Sequence, residues 1–247
     1  MIFERRRPYP LPLCIVDGFA TVSGLKVGDR AAAGQFAAEY AVHVPDAHAH
    51  WEGLYSSRPE TGFSWYQRDP ATSLEYIAAA TVDRSAPVID VGGGASLLVD
   101  ALIARGYSDL TVLDLSESAL RKSRERLGVS ASRVTWIAAD VTHWQPTRRF
   151  QVWHDRAAFH FLTAPDRQAA YVAALQAATL PGATVIIATF ALDGPEKCSG
   201  LPVQRYSPET LAARLGTPFV LSTSRQEAHT TPGGAVQRFS YAVFRRE

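Results

Sequence analysis

The sequence predicts an α/β fold, a doubly wound and mostly parallel sheet of seven strands closed by an antiparallel hairpin. Three observations predict it. Short β-branched runs alternate with amphipathic helical segments from Val88 to Leu215, the rhythm of a parallel sheet covered on both faces. The first of these runs breaks abruptly into Gly92-Gly93-Gly94. The tail then carries two strand-like runs with only Pro232-Gly233-Gly234 and a few polar residues between them.

In order, Val88 to Val91 reads as the first strand, and Ala95 to Ala104 as a helix that stops at Arg105-Gly106. Leu110 to Asp114 is the second strand. Ser116 then caps a helix over Glu117–Leu127, which ends at Gly128. Val134 to Ala138 and Phe150 to His154 are the third and fourth strands. Asp166 to Ala178 is an amphipathic helix, Pro181-Gly182 a turn and Thr184 to Phe190 the fifth strand. A short helix over Ser207–Leu215 precedes the strands Phe219 to Glu227 and Val236 to Arg245. Residues 46–247 are expected to form this one domain. Residues 1–45 are expected to be a loosely structured N-terminal extension, or an over-long gene start, with periodicity only from Ala31 to Val42.

Composition narrows the function. Lys+Arg number 25 and Asp+Glu 24, so bulk electrostatic attraction to nucleic acid is not expected. Only three of the basic residues are lysine (Lys26, Lys122 and Lys197), a bias read as genomic rather than functional. Apolar residues make up 47% of the chain, yet no run approaches a membrane span. Glu4 to Arg7 followed by Leu11 to Val16 is faintly signal-like. Pro8, Pro10, Pro12 and Asp17 interrupt it, so a cytoplasmic location is expected. The two cysteines, Cys14 and Cys198, are too few for a disulfide scaffold or a zinc site. His48, His50 and Glu52 have the spacing of a strand or loop rather than a helical metal pair, so no metal is expected.

Ligands of open α/β sheets sit beyond the carboxyl ends of the strands. There the glycine run lets backbone approach a ligand, and Asp114, twenty residues past Gly94, is placed to bind ribose hydroxyls. Asp140, with the backbone N–H of Val141, is placed to read an adenine edge. A dinucleotide fold wants a small residue three places after Gly94, where this chain has Leu97. Asp90 opposes a pyrophosphate and suits a cationic amine. S-adenosylmethionine, with an adenosine, an amino-acid end, a sulfonium and no phosphate, meets those electrostatics. Upstream, Trp51, Tyr55, Trp65 and Tyr66 suit an aromatic lid over the sulfonium.

On Val88 to Ser96 with Asp114 and Asp140, the chain resembles the class I S-adenosylmethionine-dependent methyltransferases over roughly residues 50–245. The resemblance implies a Rossmann-like sheet of strand order 3-2-1-4-5-7-6. It also implies that Asp90, Gly92, Gly93 and Gly94 hold the methionine end, Asp114-Leu115 the ribose, Asp140 and Val141 the adenine, with Trp65 at the cofactor.

Two subgroups share the upstream aromatic pattern. Asp155-Arg156-Ala157-Ala158, Arg167, Tyr171 and Ser199 to Val203 look like the thiopurine (thiol) methyltransferases; Gly106-Tyr107 and Asp114 to Ser116 look closer to lysine methyltransferases acting on elongation factor and citrate synthase. The first is favoured and implies a small-molecule, thiol-type acceptor, the alternative being a protein lysine. A thiol needs little help, whereas an amine or hydroxyl needs a base. The candidates are His160, then Asp155, with Tyr66 positioning and Arg156 orienting an acidic substrate or serving as an ion-pair partner. Two readings from other classes are an NAD-dependent oxidoreductase, disfavoured by Asp90, Leu97 and the hairpin, and a non-catalytic cofactor-binding protein.

Overall fold

The computed structural model describes residues 46–247 apart from residue 82, and the backbone of two short antiparallel strands, Cys14–Val16 and Phe19–Thr21. The chain divides into two units, Met1–Val44 and Pro45–Glu247. The expectation of a loose extension and the periodicity from Ala31 to Val42 lie outside the described residues.

The second unit is built on one sheet of seven strands: β1 (Val88–Val91), β2 (Leu110–Asp114), β3 (Val134–Ala138), β4 (Phe150–Arg156), β5 (Thr179–Phe190), β6 (Phe219–Thr230) and β7 (Val236–Arg246). Their order is β3-β2-β1-β4-β5-β7-β6. The first five are parallel, and β7 pairs antiparallel with both β5 and β6. This is the expected sheet, hairpin included. Six α-helices accompany it among the described residues: α1 (Ala47–Ser57), α2 (Ala71–Ala80), α3 (Leu98–Ala104), α4 (Glu117–Leu127), α5 (Pro165–Ala178) and α6 (Pro208–Leu215).

The caps explain the helix bounds. Ser116 Oγ accepts from the Ala119 N–H and Gly128 takes a positive φ at the far end of α4, as the sequence suggests. Ser207 and Thr210 form a capping box on α6. Three expectations shift. The helix after the glycines begins at Leu98 rather than Ala95, because Gly93 to Ser96 form a turn closed by the Ser96 N–H on the Gly93 carbonyl. Pro181-Gly182 is not a turn before the fifth strand but a bulge inside β5. Pairing slips there, with Phe150 opposite Thr179 and Val152 opposite Thr184. His48, His50 and Glu52 lie on helix α1, not on a strand or loop.

Strand alternation divides the interior in two. Val88, Val112, Val152, Ile186 and Phe190 pack on one face with Leu74 and Ile77 of α2, Leu98 and Leu102 of α3 and Leu120 of α4. Ile89, Leu113, Trp153, Val185 and Ile187 pack on the other with Tyr171 and Leu175 of α5 and Leu211 of α6. Asp90, His154 and Arg156 share the phase of the first face, and Asp155 that of the second. Leu120 is fully buried in the first cluster. Leu120→Ala is expected to destabilise the domain by about 2–5 kcal/mol, read as a lowered urea midpoint with an unchanged slope.

Candidate active site

The turn after β1 approaches two acids so closely that no side chain fits. A Cβ on Gly93 would lie 2.4 Å from Asp90 Oδ2, and one on Gly94 2.5 Å from Asp114 Oδ2. Gly92 has φ +71, and its Cβ would meet that of Ala158 at 2.6 Å. The turn is pinned from behind by Ser123, whose hydroxyl donates to the Gly94 carbonyl at 2.6 Å. Arg126 donates to the Ser96 carbonyl and pairs with Asp100 at 2.8 Å and Glu60 at 3.1 Å.

Asp90 is almost wholly buried, and its Oδ1 lies 2.7 Å from His154 Nδ1. His154 sits opposite it on β4, and its Nε2 lies 2.8 Å from the Ser73 hydroxyl of α2. Ser73 in turn lies 3.3 Å from the Tyr241 hydroxyl. Asp90, His154 and Ser73 line an open cleft of about 570 Å³, counting the solvent in its mouth. Gly92, Gly93, Ser96 and Leu97 from the turn after β1 line it too, with Trp65, Tyr66, Gln67 and Arg156.

Asp114 lies at the end of β2 with 7% of its surface exposed, accepting from the Ser116 N–H at 2.8 Å. Above it, α1 is docked on α4 by Glu52, whose carboxylate accepts from the Ser116 hydroxyl at 2.7 Å and from the Ser118 N–H and hydroxyl. Those bonds, led by the Ser118 hydroxyl, hold Glu52 below its usual pKa, and they engage the carboxylate that the sequence set beside His48 and His50. Tyr55 on the same helix is buried near Asp114, its phenol pushed up by burial and by that carboxylate's charge. Leu115 is half-buried beside the acid. Among the described residues, no group of three His, Cys, Asp or Glu is arranged for a metal ion.

Asp140 already has protein partners on both oxygens. Oδ1 accepts from the Thr142 N–H at 2.9 Å and hydroxyl at 2.7 Å, and Oδ2 from Arg167 at 2.7 Å. Burial opposes its ionisation, but the Thr142 bonds and Arg167 outweigh it and hold the pKa below the usual value. Val141 beside it packs partly buried against the second core cluster.

The proposed bases lie elsewhere. Asp155 points to the opposite face, where it accepts from the Tyr171 hydroxyl at 2.6 Å and from the Ala158 and Phe159 N–H groups. Its oxygens cap the turn after β4, away from the cleft. His160 is fully buried. Its Nδ1 accepts from the Phe190 N–H at 3.3 Å, which puts the ring proton on Nε2, and burial lowers its pKa to about 3. A ring so placed has no open lone pair to act as a base. Tyr66 and Trp65 do line the cleft, Trp65 stacked on Phe63 at 4.6 Å. Ser73, His154, Gln67 and Glu227 were not singled out by the sequence. The register of β1 on β4 brings His154 there, the return of β6 brings Glu227, and the packing of the segment before β1 brings Gln67 and Ser73.

The cofactor expected from the sequence fits the cleft in part. A buried carboxylate and bare glycine backbone face the space where a cationic amine would lie, and no phosphate-binding loop competes. Asp114, the acid expected at the ribose, is buried near Tyr55 of α1 and is not among the residues that line the cleft.

A glycine turn on the first strand of a sheet ordered 3-2-1-4-5-7-6 is the Rossmann-like arrangement expected from the sequence. Residues 88–182 match the family model described as Methyltransferase domain, Methyltransf_25. The chain is 29% identical over 110 residues to the eEF1A lysine and N-terminal methyltransferases of Mus musculus and Bos taurus, an overlap of 43% of this chain. It spans only about 15% of the length of those curated relatives.

Solved structures share the fold. One, described under the conversion of a disulfide bond into a thioacetal group during echinomycin biosynthesis, has a TM-score of 0.65 at 19% identity, covering 81% of this chain and 93% of the other. The 1,6-didemethyltoxoflavin-N1-methyltransferase of Burkholderia thailandensis, with 1,6-didemethyltoxoflavin and S-adenosylhomocysteine bound, has a TM-score of 0.58 at 19% identity, covering 92% and 94%. Over residues 88–182 the chain is therefore similar to the methyltransferase domain family, and it shares its fold with solved methyltransferases.

Gly93→Ala drives a methyl group into Asp90 and is expected to cost about 1–3 kcal/mol, measured by urea unfolding. Burial raises Asp114 to about 7 and Asp155 to about 6, from 3.8 for each. The folded state thus keeps protons that the unfolded chain has lost. Their contribution to stability is full below about pH 3.8 and is lost as pH rises through 6 and 7. Urea midpoints are expected to fall across that window, and Asp114→Asn to flatten the upper part of the fall.

Proposed function

We propose that the chain transfers a methyl group from S-adenosylmethionine to a small-molecule acceptor bound in the cleft between the carboxyl end of β4 and the strip Phe63–Pro70. The cofactor supplies an electrophilic methyl on a sulfonium. Asp90, oriented by His154, accepts from the amine at its amino-acid end; Gly92 to Gly94 allow backbone contact there; Asp114 with Leu115 takes the ribose after α1 yields over it. Val141 lies on the adenine side. Asp140, already bonded to Thr142 and Arg167, acts there through its loop. Trp65 and Tyr66 wall the acceptor and exclude water, so the protein's work is alignment along the displacement axis.

One observation carries the acceptor reading: no free base faces the cleft among the described residues that line it. Both nitrogens of His154 are engaged, Asp90 is bonded to it, and Glu60 is paired with Arg126. His160 and Asp155 are given structural roles. Such a site suits an acceptor that arrives nucleophilic, and a thiolate does. A protein lysine is the second reading, favoured by the curated relatives.

Titration with S-adenosylhomocysteine and 5′-methylthioadenosine, which lacks the amino-acid end, tests the site. Asp90→Asn should weaken the first about tenfold or more and leave the second unchanged, because a charge-assisted bond is worth about 1.5–3 kcal/mol. Asp114→Asn should weaken both. Binding of NAD with no response to either adenosyl ligand would reject the proposal. Turnover on eEF1A with none on a thiol panel would establish the second reading.

A further inference from the structure

Arg156 ends β4 two residues beyond His154 on the same face of the strand, about 7 Å further along the cleft. Its side chain is 10% exposed, and only one of its nitrogens is well used: Nη1 donates to the Trp65 carbonyl at 3.1 Å. The guanidinium lies over the Phe239 ring at 4.2 Å. Nε and Nη2 are buried and have no hydrogen-bond partner. Those two nitrogens form one edge of the guanidinium, the edge that grips two oxygens of a planar anion at once.

The neighbours do not satisfy that edge. Glu227 on β6 comes no nearer to Nη2 than 3.8 Å, and its Oε1 instead accepts from Gln67 at 2.9 Å. His229 bonds through Nε2 to the Ser64 carbonyl, and its pKa is lowered by burial and by the charge of Arg156. The Tyr241 hydroxyl lies beside the group and is 3.3 Å from Ser73. Cys198 faces it with a thiol that burial pushes up to about 11. The site therefore holds a largely desolvated cation with one remote counter-charge, an arrangement that costs stability unless a partner completes it. The cover over it is irregular chain, Trp65 to Gln67, tied by the Arg156–Trp65 and Gln67–Glu227 contacts.

We propose that Arg156 is an anion-recognition site for the acceptor, taking a carboxylate on its Nε/Nη2 edge and holding the acceptor against the methyl donor. The acceptor is thus a carboxylate-bearing small molecule. This rests on the methyltransferase reading and adds the substrate class to it. Gln67 keeps Glu227 turned aside from the guanidinium, and the aromatic walls at Trp65 and Tyr66 take the body of the acceptor.

Calorimetry on protein saturated with S-adenosylhomocysteine tests the site, using benzoate, phenylacetate and 3-phenylpropionate, each against its own amide. At least one acid should bind tenfold or more tightly than its amide. Arg156→Lys, which keeps the charge but not the two-pronged edge, should cut that preference to threefold or less with S-adenosylhomocysteine affinity within twofold of the parent. Glu227→Gln, which removes the competing carboxylate, should widen it. An acid preference that survives Arg156→Lys overturns the inference, as does equal binding of acids and amides or binding of neither. Loss of S-adenosylhomocysteine binding by the unaltered protein would instead reject the methyltransferase reading itself.

Discussion

The buried carboxylate of Asp90 is the constraint around which the site is built. A charge with so little solvent must be met by fixed partners, and His154 and Ser73 supply them in a line from β4 to α2. The same carboxylate forbids a side chain on Gly93, so the turn after β1 must pass it as bare backbone. Asp114 imposes the same condition on Gly94. Two acids and two glycines are thus one packing problem, and its solution leaves Gly93, with its neighbour Gly92, as bare backbone lining the cleft.

Strand alternation decides which chemistry of β4 reaches that ligand. His154 and Arg156 fall on the cleft side, and Asp155 between them is turned into the opposite core under Tyr171. There its raised pKa reflects burial rather than readiness to accept a proton from an acceptor. The cleft is rich in polar groups but poor in free ones.

Much of the architecture was legible because it is written in local patterns. β-branched runs, the Ser116 and Gly128 caps and the Pro-Gly-Gly between the last strands each depend on neighbours in sequence. The bulge at Pro181-Gly182 reads as a turn in the sequence because proline and glycine mark a break without saying whether pairing resumes across it. Helix α1 was hidden for a different reason: its partners lie far off in sequence, Glu52 reaching the start of α4 some sixty residues away and Tyr55 packing on Phe63, Ala95 and Ala119. In the site, the acids at strand ends were visible. The pairing of Asp90 with His154 needed strand register, and the approach of Glu227 to Arg156 needed the hairpin's return.

Arg126 carries a consequence for how the cleft admits anything at all. Its guanidinium fastens Glu60, at the head of the strip that walls the cleft, to Asp100 and Ser96 beside the glycine turn. Burial works against that cation, and the two carboxylates more than offset it. Raising the strip from its Glu60 end would strip a half-buried charge of one of its two counter-ions, whereas the Gln67 end is held by the Gln67 amide on Glu227 and by the Arg156 guanidinium on the Trp65 carbonyl. The wall is therefore fastened by a carboxylate–guanidinium pair at its Glu60 margin and by single hydrogen bonds at the margin beside Arg156.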